Sequence, residues 1–311
     1  MMRRLKVSHV TTYDYANPVS FGDHRMMLRP RDSHDLRIIS THLGITPEPS
    51  AVRWMHDLHG NSVAVASFDF EATQLRFESE IVLQHFESSE PDCPIEAYAR
   101  VYPFRYSSDE IPDLSRSIEL QYPDPLHAVD EWAKSFIATD GPTDTWEMLG
   151  AITKTIQRDF TYLARDAEGI QAPADTLLLS SGSCRDFAVL MMEAVRALGF
   201  AARFVTGYLY SPDMDGSGHV GGGATHAWTQ VYLPGSGWVE FDPTNGIIGN
   251  HDLIRVAVAR DPNHAVPIQG SWTGLPSDYL GMEVHVEVTA DIDDGNDQGS
   301  AELTPKRFND L

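Results

Sequence analysis

The sequence predicts an α+β protein: an N-terminal β-sandwich, then a core in which helices pack against an antiparallel sheet. Three features carry that expectation. Short runs with period-two alternation recur through residues 4–86, a proline-punctuated stretch covers 87–125, and from 126 the apolar spacing becomes helical before strands return. With 311 residues, 42% of them hydrophobic, the chain is long enough for one large or two ordinary cores.

In the first segment Val7, Val10 and the Tyr13/Tyr15 pair lead into a partly alternating run at 36–45. Runs at 51–55, 62–70 and 75–83 follow, divided by polar or glycine-bearing turns. Alternation is clearest where Val63, Val65 and Ser67 interleave with Ala64, Ala66 and Phe68. Residues 1–86 are therefore expected to form the sandwich. Pro91, Pro94, Pro103, Pro112, Pro123 and Pro125 then break both helix and sheet pairing, so 87–125 reads as a linker. Its aromatics Tyr102, Phe104, Tyr106 and Tyr122 imply that it packs along a surface.

The core is expected over 126–290. Helices are predicted at 126–137 and at 146–160, the second capped by Thr145 or Asp144. A short helix at 173–179 uses Pro173 in its first turn. The central helix at 184–198 carries Phe187, Leu190, Met191, Ala194, Val195 and Leu198 at three- and four-residue steps, and Gly199 stops it. Strands are predicted at 202–210, 224–233 and 237–241, with another near 284–288. The acidic, glycine-bearing tail 291–311 is expected to be disordered.

Acidic residues number 45 against 23 basic ones, a net charge of -22. Such a field repels nucleic acid and anionic membrane surfaces, so neither is expected as a partner; it also serves solubility. Two cysteines, Cys93 and Cys184, make no disulfide framework, and no bridge is predicted. The N-terminus is basic without an apolar run behind it, and no stretch approaches the ~20 apolar residues of a membrane helix. The default location is the cytoplasm.

The chemistry is concentrated in Ser181-Gly182-Ser183-Cys184-Arg185-Asp186-Phe187-Ala188, followed by Thr225-His226-Ala227-Trp228 and by Trp238-Val239-Glu240-Phe241-Asp242-Pro243-Thr244. A lone cysteine is usually a small buried hydrophobe. Cys184, however, lies behind a Ser-Gly-Ser turn at a helix start, where backbone N–H groups favour a thiolate and its own N–H can serve an oxyanion. An adjacent base activates such a nucleophile, and a third group orients the base. For Asp242 to hold His226, both must point to one face of their hairpin. A three-residue loop, Pro234 to Ser236, pairs Leu233 with Gly237 and sets Trp228 opposite Asp242, with His226 one diagonal step away, about 7–8 Å between backbones. A two- or four-residue loop without a bulge puts them on opposite faces.

These residues also resemble a family. Gly182-x-Cys184-x-Asp186-Phe187-Ala188, Arg196-x-Leu198-Gly199, Arg203-x-Val205-x-Gly207-Tyr208, His226-Ala227-Trp228 and Trp238-x-x-Phe241-Asp242-Pro243-Thr244-Asn245-Gly246 are similar to the bacterial transglutaminase-like proteins, members of the papain-like superfamily of thiol enzymes. Tyr13-x-Tyr15, Leu28-Arg29-Pro30 and Asp57-x-x-Gly60-Asn61 resemble the β-sandwich that precedes their core, and the segment from Arg260-Asp261 to Gly270 resembles the one that follows it. Ala201 departs from the proline frequent at that position, which concerns a strand entry only. The resemblance implies a papain-like, transglutaminase-like core with Cys184 as nucleophile, His226 as base and acid, and Asp242 as orienting carboxylate. It implies a peptide or protein substrate and no cofactor or metal. Hydrolysis as a cysteine protease or amidohydrolase is favoured. Amine transfer by a transglutaminase, and a non-catalytic binding protein on the same fold, stay open, as does a homo-oligomer.

Other features point elsewhere only faintly. Asp213-Met214-Asp215-Gly216-Ser217-Gly218 looks like part of a calcium loop, but the twelfth position is Ala224, where a bidentate glutamate is needed. His56 and His59, with Asp57 between them, fall in a turn with no further ligand suggested by spacing. Trp228 and Trp238 read as either core or cleft lining.

Overall fold

The computed structural model describes residues 2–86, 94–164, 169–211 and 223–290. Six strands open the chain: β1 (Met2–Phe21), β2 (His24–Met26), β3 (Leu36–Thr46), β4 (Ala51–His56), β5 (Ser62–Ser67) and β6 (Glu71–Phe86). They divide between two sheets. One holds β1, β6 and β3 in that order, and the other holds β2, β5 and β4. Both gain strands from the far end of the chain, β12 (Ile268–Gln269) on β2, and β13 (Trp272–Thr273) and β14 (Tyr279–Ala290) on β1.

The run expected near 284–288 is thus the middle of β14, antiparallel to β1 through pairs such as Val7↔Val288 and His9↔Val286. It belongs to the N-terminal layer and not to a core reaching residue 290. The physical reason is the free edge of β1 opposite β6, which an alternating strand can cover. Val286 there joins Leu5, Val7, Ile81 and Leu83 in one buried cluster.

β1 is long enough to serve two layers. Toward its end Tyr15, Val19 and Phe21 pack with Met26, Leu28, Ala64 and Ala66 of the second sheet, forming the sandwich interior. Near its start Leu5 and Val7 pack against Tyr208, Ile254 and Val256 of the core sheet. Between these zones buried His9 meets the Tyr208 hydroxyl through Nδ1 at 3.0 Å and Thr11 Oγ1 through Nε2 at 2.9 Å.

The expected linker is not featureless. Within it lies α1 (Ile111–Ile118), whose proline sits in the first turn, where no intrahelical N–H is required. Beyond it, the backbone N–H groups of Gln121 and Tyr122 both donate to Glu193 Oε2, 2.9 and 3.0 Å away. Then come α2 (Ala128–Lys134), α3 (Thr145–Asp159), α4 (Pro173–Leu179) and α5 (Cys184–Ala197). Asp144, one of the two residues expected to cap α3, accepts from Glu147 N–H at 2.9 Å.

The core sheet runs β10-β9-β8-β7-β11, built from β7 (Ala202–Leu209), β8 (His226–Leu233), β9 (Gly237–Asp242), β10 (Ile247–Ile248) and β11 (Leu253–Ala259). Helix α5 lies on it and is buried from Asp186 to Arg196. Its apolar side chains meet Ala227, Val231 and Leu233 of β8, and each fully buried Leu or Phe contributes about 1.5–3 kcal/mol. Gly199, at φ 88°, ends the helix in the left-handed conformation. Among the described residues no helix is long and apolar enough to cross a membrane.

Candidate active site

Cys184 is the first residue of α5, capped by Ser183. The turn before it is held by Asp186, whose Oδ2 accepts from Ser183 N–H at 2.8 Å and from its hydroxyl at 2.9 Å. Asp186 Oδ1 accepts from Gln171 N–H at 2.6 Å. This anchoring fixes the thiol at the open end of the helix, where N–H groups point outward. Cys184 is a free cysteine, 7% exposed. Cys93 and the calcium-like run at 213–218 lie outside the described residues, as does the tail 291–311.

The hairpin has the predicted three-residue turn, with Leu233 paired to Gly237 and Thr229 to Phe241. Ala227, Thr229 and Val231 face α5, and Thr229 donates its hydroxyl to Ala188 O at 2.7 Å. His226 and Trp228 alternate with them and share a face with Glu240 and Asp242. His226 Nε2 donates to Asp242 Oδ2 at 2.8 Å, and both side chains are fully buried.

Asp242 is held from several sides. Asn245 Nδ2 donates to Oδ2 at 2.9 Å, and Thr244 N–H donates to Oδ1 at 2.9 Å. Burial alone would raise its pKa; the His226 charge and hydrogen bond, then Asn245 and Thr244, hold it below the usual carboxylate range. Burial likewise would depress His226, yet Asp242 and, secondarily, Cys184 raise it well above 6.5. The thiol is therefore within interaction range of the ring. Nδ1, buried, has no hydrogen bond of ordinary geometry, which leaves it as the ring nitrogen available to sulfur. An imidazolium between a carboxylate and a thiol is the arrangement in which a thiolate is stabilised.

Trp228 is core, not cleft lining. It is fully buried, stacks on His226 with centroids 5.9 Å apart, and donates Nε1–H to Glu240 Oε2 at 2.6 Å. Trp238 packs on Tyr232 and beneath the Arg203 guanidinium. Glu240 was not singled out in the sequence, although the step Glu240-x-Asp242 places both on one face. It also accepts from Gln230 and Arg255, each at 2.6 Å. Asn245 and Tyr162 are the other additions, the latter electrostatically coupled to Cys184 from the parallel pairing of 161–162 with 181–182. In the turn at 57–61, Asp57 Oδ1 accepts from the His59 and Asn61 N–H groups, so that carboxylate organises backbone.

Residues 5–84 match the bacterial transglutaminase-like N-terminal region, and residues 130–243 match the transglutaminase-like superfamily, a span that includes all three residues. An uncharacterised protein of Mycobacterium tuberculosis is 28% identical over 297 residues, 91% of this chain and 92% of its own. One from Mycobacterium leprae is 27% identical over 295 residues, 93% of this chain and 99% of its own. A solved structure from Cytophaga hutchinsonii, assigned provisionally as a cysteine protease, superimposes with a TM-score of 0.68 at 19% identity, covering 95% of this chain and 93% of that one. It shares the fold. The chain carries a bacterial transglutaminase-like N-terminal region and a transglutaminase-like core.

Proposed function

We propose that this transglutaminase-like chain is a thiol enzyme that opens a peptide or carboxamide bond through Cys184, His226 and Asp242. The observation that carries the reading is the buried 2.8 Å bond from His226 to Asp242, with the thiol of Cys184 coupled to the same ring. The Cys184 thiolate attacks the carbonyl carbon, and the oxyanion takes a hydrogen bond from the Cys184 N–H at the helix start. The His226 imidazolium protonates the departing amine, leaving a thioester and a neutral ring. That ring then removes a proton from water as it attacks. Collapse of the second tetrahedral species releases the carboxylic acid and restores thiolate and imidazolium. Asp242 keeps the ring in position and offsets its charge without accepting the proton.

Water is the favoured acceptor, making the protein a cysteine protease or amidohydrolase; a primary amine in its place would make it a transglutaminase. Incubating the protein with a peptide mixture and a primary amine, then weighing the products, separates the two. Hydrolysis products absent with Cys184→Ala support the proposal, and amine adducts support transfer. No product in either protein, together with an unreactive thiol, contradicts catalysis. A binding role is favoured by one observation: a cleft of about 840 Å³ opens between the sheets beside β3 and β4, lined by Arg29, Thr41, His42, Leu43, Val52 and Trp54.

A further inference from the structure

The hairpin that joins His226 to Asp242 carries a second bond of the same kind beside it. With Gln230 paired to Glu240 and Thr229 to Phe241, His226 and Trp228 each reach a carboxylate along the same diagonal of the ladder. His226 Nε2 donates to Asp242 Oδ2 at 2.8 Å, and Trp228 Nε1 donates to Glu240 Oε2 at 2.6 Å. The two donors are stacked, with ring centroids 5.9 Å apart and planes 30° from parallel. Asp242 thus meets the imidazole at its edge, while the indole bonded to Glu240 covers its face.

Glu240 is 4% exposed. Its Oε1 accepts from Gln230 and from Arg255, each at 2.6 Å, and Arg203 fixes the Gln230 amide through a 2.6 Å bond to its oxygen. Arg255 is shared, because it also reaches Asp35 at 3.4 Å. These partners aim the other carboxylate oxygen at the indole N–H.

A cation within about 6 Å of an aromatic centroid is attracted by the negative face of the ring, most strongly by indole. An indole that donates its N–H to a carboxylate gains electron density in the ring, because hydrogen-bonded groups polarise one another. His226 is faced by Asp242 from β9, by Cys184 from α5 and by the Asn245 amide beyond β9. β7 presents uncharged Thr206 and Gly207 beside it. Glu240 and Arg255 stand behind the indole.

We propose that Glu240 is a positioning residue for the thiol–imidazole pair: acting through Trp228, it stabilises the His226 imidazolium from its face and so favours the thiolate–imidazolium form of the site. This rests on the thiol-enzyme reading above and adds a second carboxylate to it.

The test is the rate of Cys184 alkylation by iodoacetamide against pH in wild type and in Glu240→Gln, which keeps the shape and an acceptor for the indole. A less stabilised imidazolium raises the pH at which the thiol ionises, so the acid limb of the profile moves up. On that limb the rate in Glu240→Gln is expected to fall about three- to tenfold. An unmoved limb overturns the proposal. Trp228→Phe keeps a ring over the imidazole and removes its N–H. In that background Glu240→Gln should move the limb no further; an equal shift in both backgrounds overturns the proposal.

A third measurement replaces no residue at either position and stands even where Glu240→Gln does not fold. Protein grown with ring-fluorinated tryptophan keeps the indole N–H, but fluorine withdraws electron density from the ring. Its acid limb should move in the same direction as in Glu240→Gln, which a purely structural role of Glu240 would not produce. An unmoved limb overturns the proposal. Failure of the underlying reading is distinct: Cys184 of the wild type then alkylates no faster than a free thiol at any pH, and both ideas fall.

Discussion

His226 and Asp242 meet at 2.8 Å because the hairpin carrying them turns in three residues. With Leu233 opposite Gly237, every second residue of the two strands shares a face, and the buried imidazole and carboxylate fall diagonally across the ladder. Deleting Ser236 would leave a two-residue turn and flip one strand relative to the other. The variant is expected to lose the contact and to unfold more readily, because Phe241 would leave its core position. Urea unfolding together with Cys184 alkylation checks this; wild-type values for both would show that the turn does not set the register.

The His226–Asp242 pair also fixes a pH dependence. Burial lowers the imidazole pKa, but Asp242 and then Cys184 raise it to about 10. The folded value lies above the ordinary 6.5, so the contribution of the pair is complete below 6.5 and is lost as pH rises through about 10. On the acid side, Asp242 lies below 3.8, and its contribution disappears as pH falls through that depressed value. The stability difference between wild type and His226→Gln should therefore shrink between pH 6.5 and 10. Denaturant midpoints across that range measure it, and a constant gap would contradict the assignment.

Gly207 is paired with His226, and there a side chain has no room. A Cβ would fall 2.1 Å from Ile254 O and 2.7 Å from Trp228 Cη2. Gly207→Ala should displace the indole stacked on His226 and cost about 1–3 kcal/mol, the usual penalty for overpacking. Unfolding free energy and indole fluorescence report the two effects. A variant as stable as wild type would mean that the close approach is relieved cheaply.

His9 joins the N-terminal layer to the core through Tyr208, and burial lowers its pKa from 6.5 to about 4. The neutral form is the folded one, so stability is lost as pH falls from 6.5 toward 4 while the unfolded chain takes up a proton. His9→Gln should remove part of that loss, on the order of 2–3 kcal/mol at most. Thermal midpoints at pH 7 and pH 4.5 for both proteins give the comparison. Parallel decreases would exclude His9 as the titrating group.

The small-residue turn before Cys184, the apolar spacing of α5 and the parity of the loop at 234–236 are local signals, and the helix start, its buried face and the three-residue turn lie where those signals put them. β11 went unrecognised because its apolar run Leu253-Ile254-Arg255-Val256-Ala257-Val258-Ala259 is nearly continuous, without the alternation that marks a half-buried strand. The alternation of β14 was visible, but its partner lies at the opposite end of the chain, and strand pairing at that separation leaves no local trace. α1 was hidden by a proline that a first helical turn tolerates. Glu193 and Arg196 lie off the apolar spacing of α5, yet both are buried and bind the preceding segment and the neighbouring strands. Burial of polar groups depends on what packs over them, which a single helix does not encode.

The most direct test of the account is the intact mass of the protein after incubation with a thiol-directed amide mimic, for wild type and His226→Ala. A single adduct on Cys184 that forms rapidly in the wild type and slows by about a hundredfold or more in the variant is the predicted result. Equal labelling of the two proteins, at the rate of a free thiol, would contradict an activated cysteine.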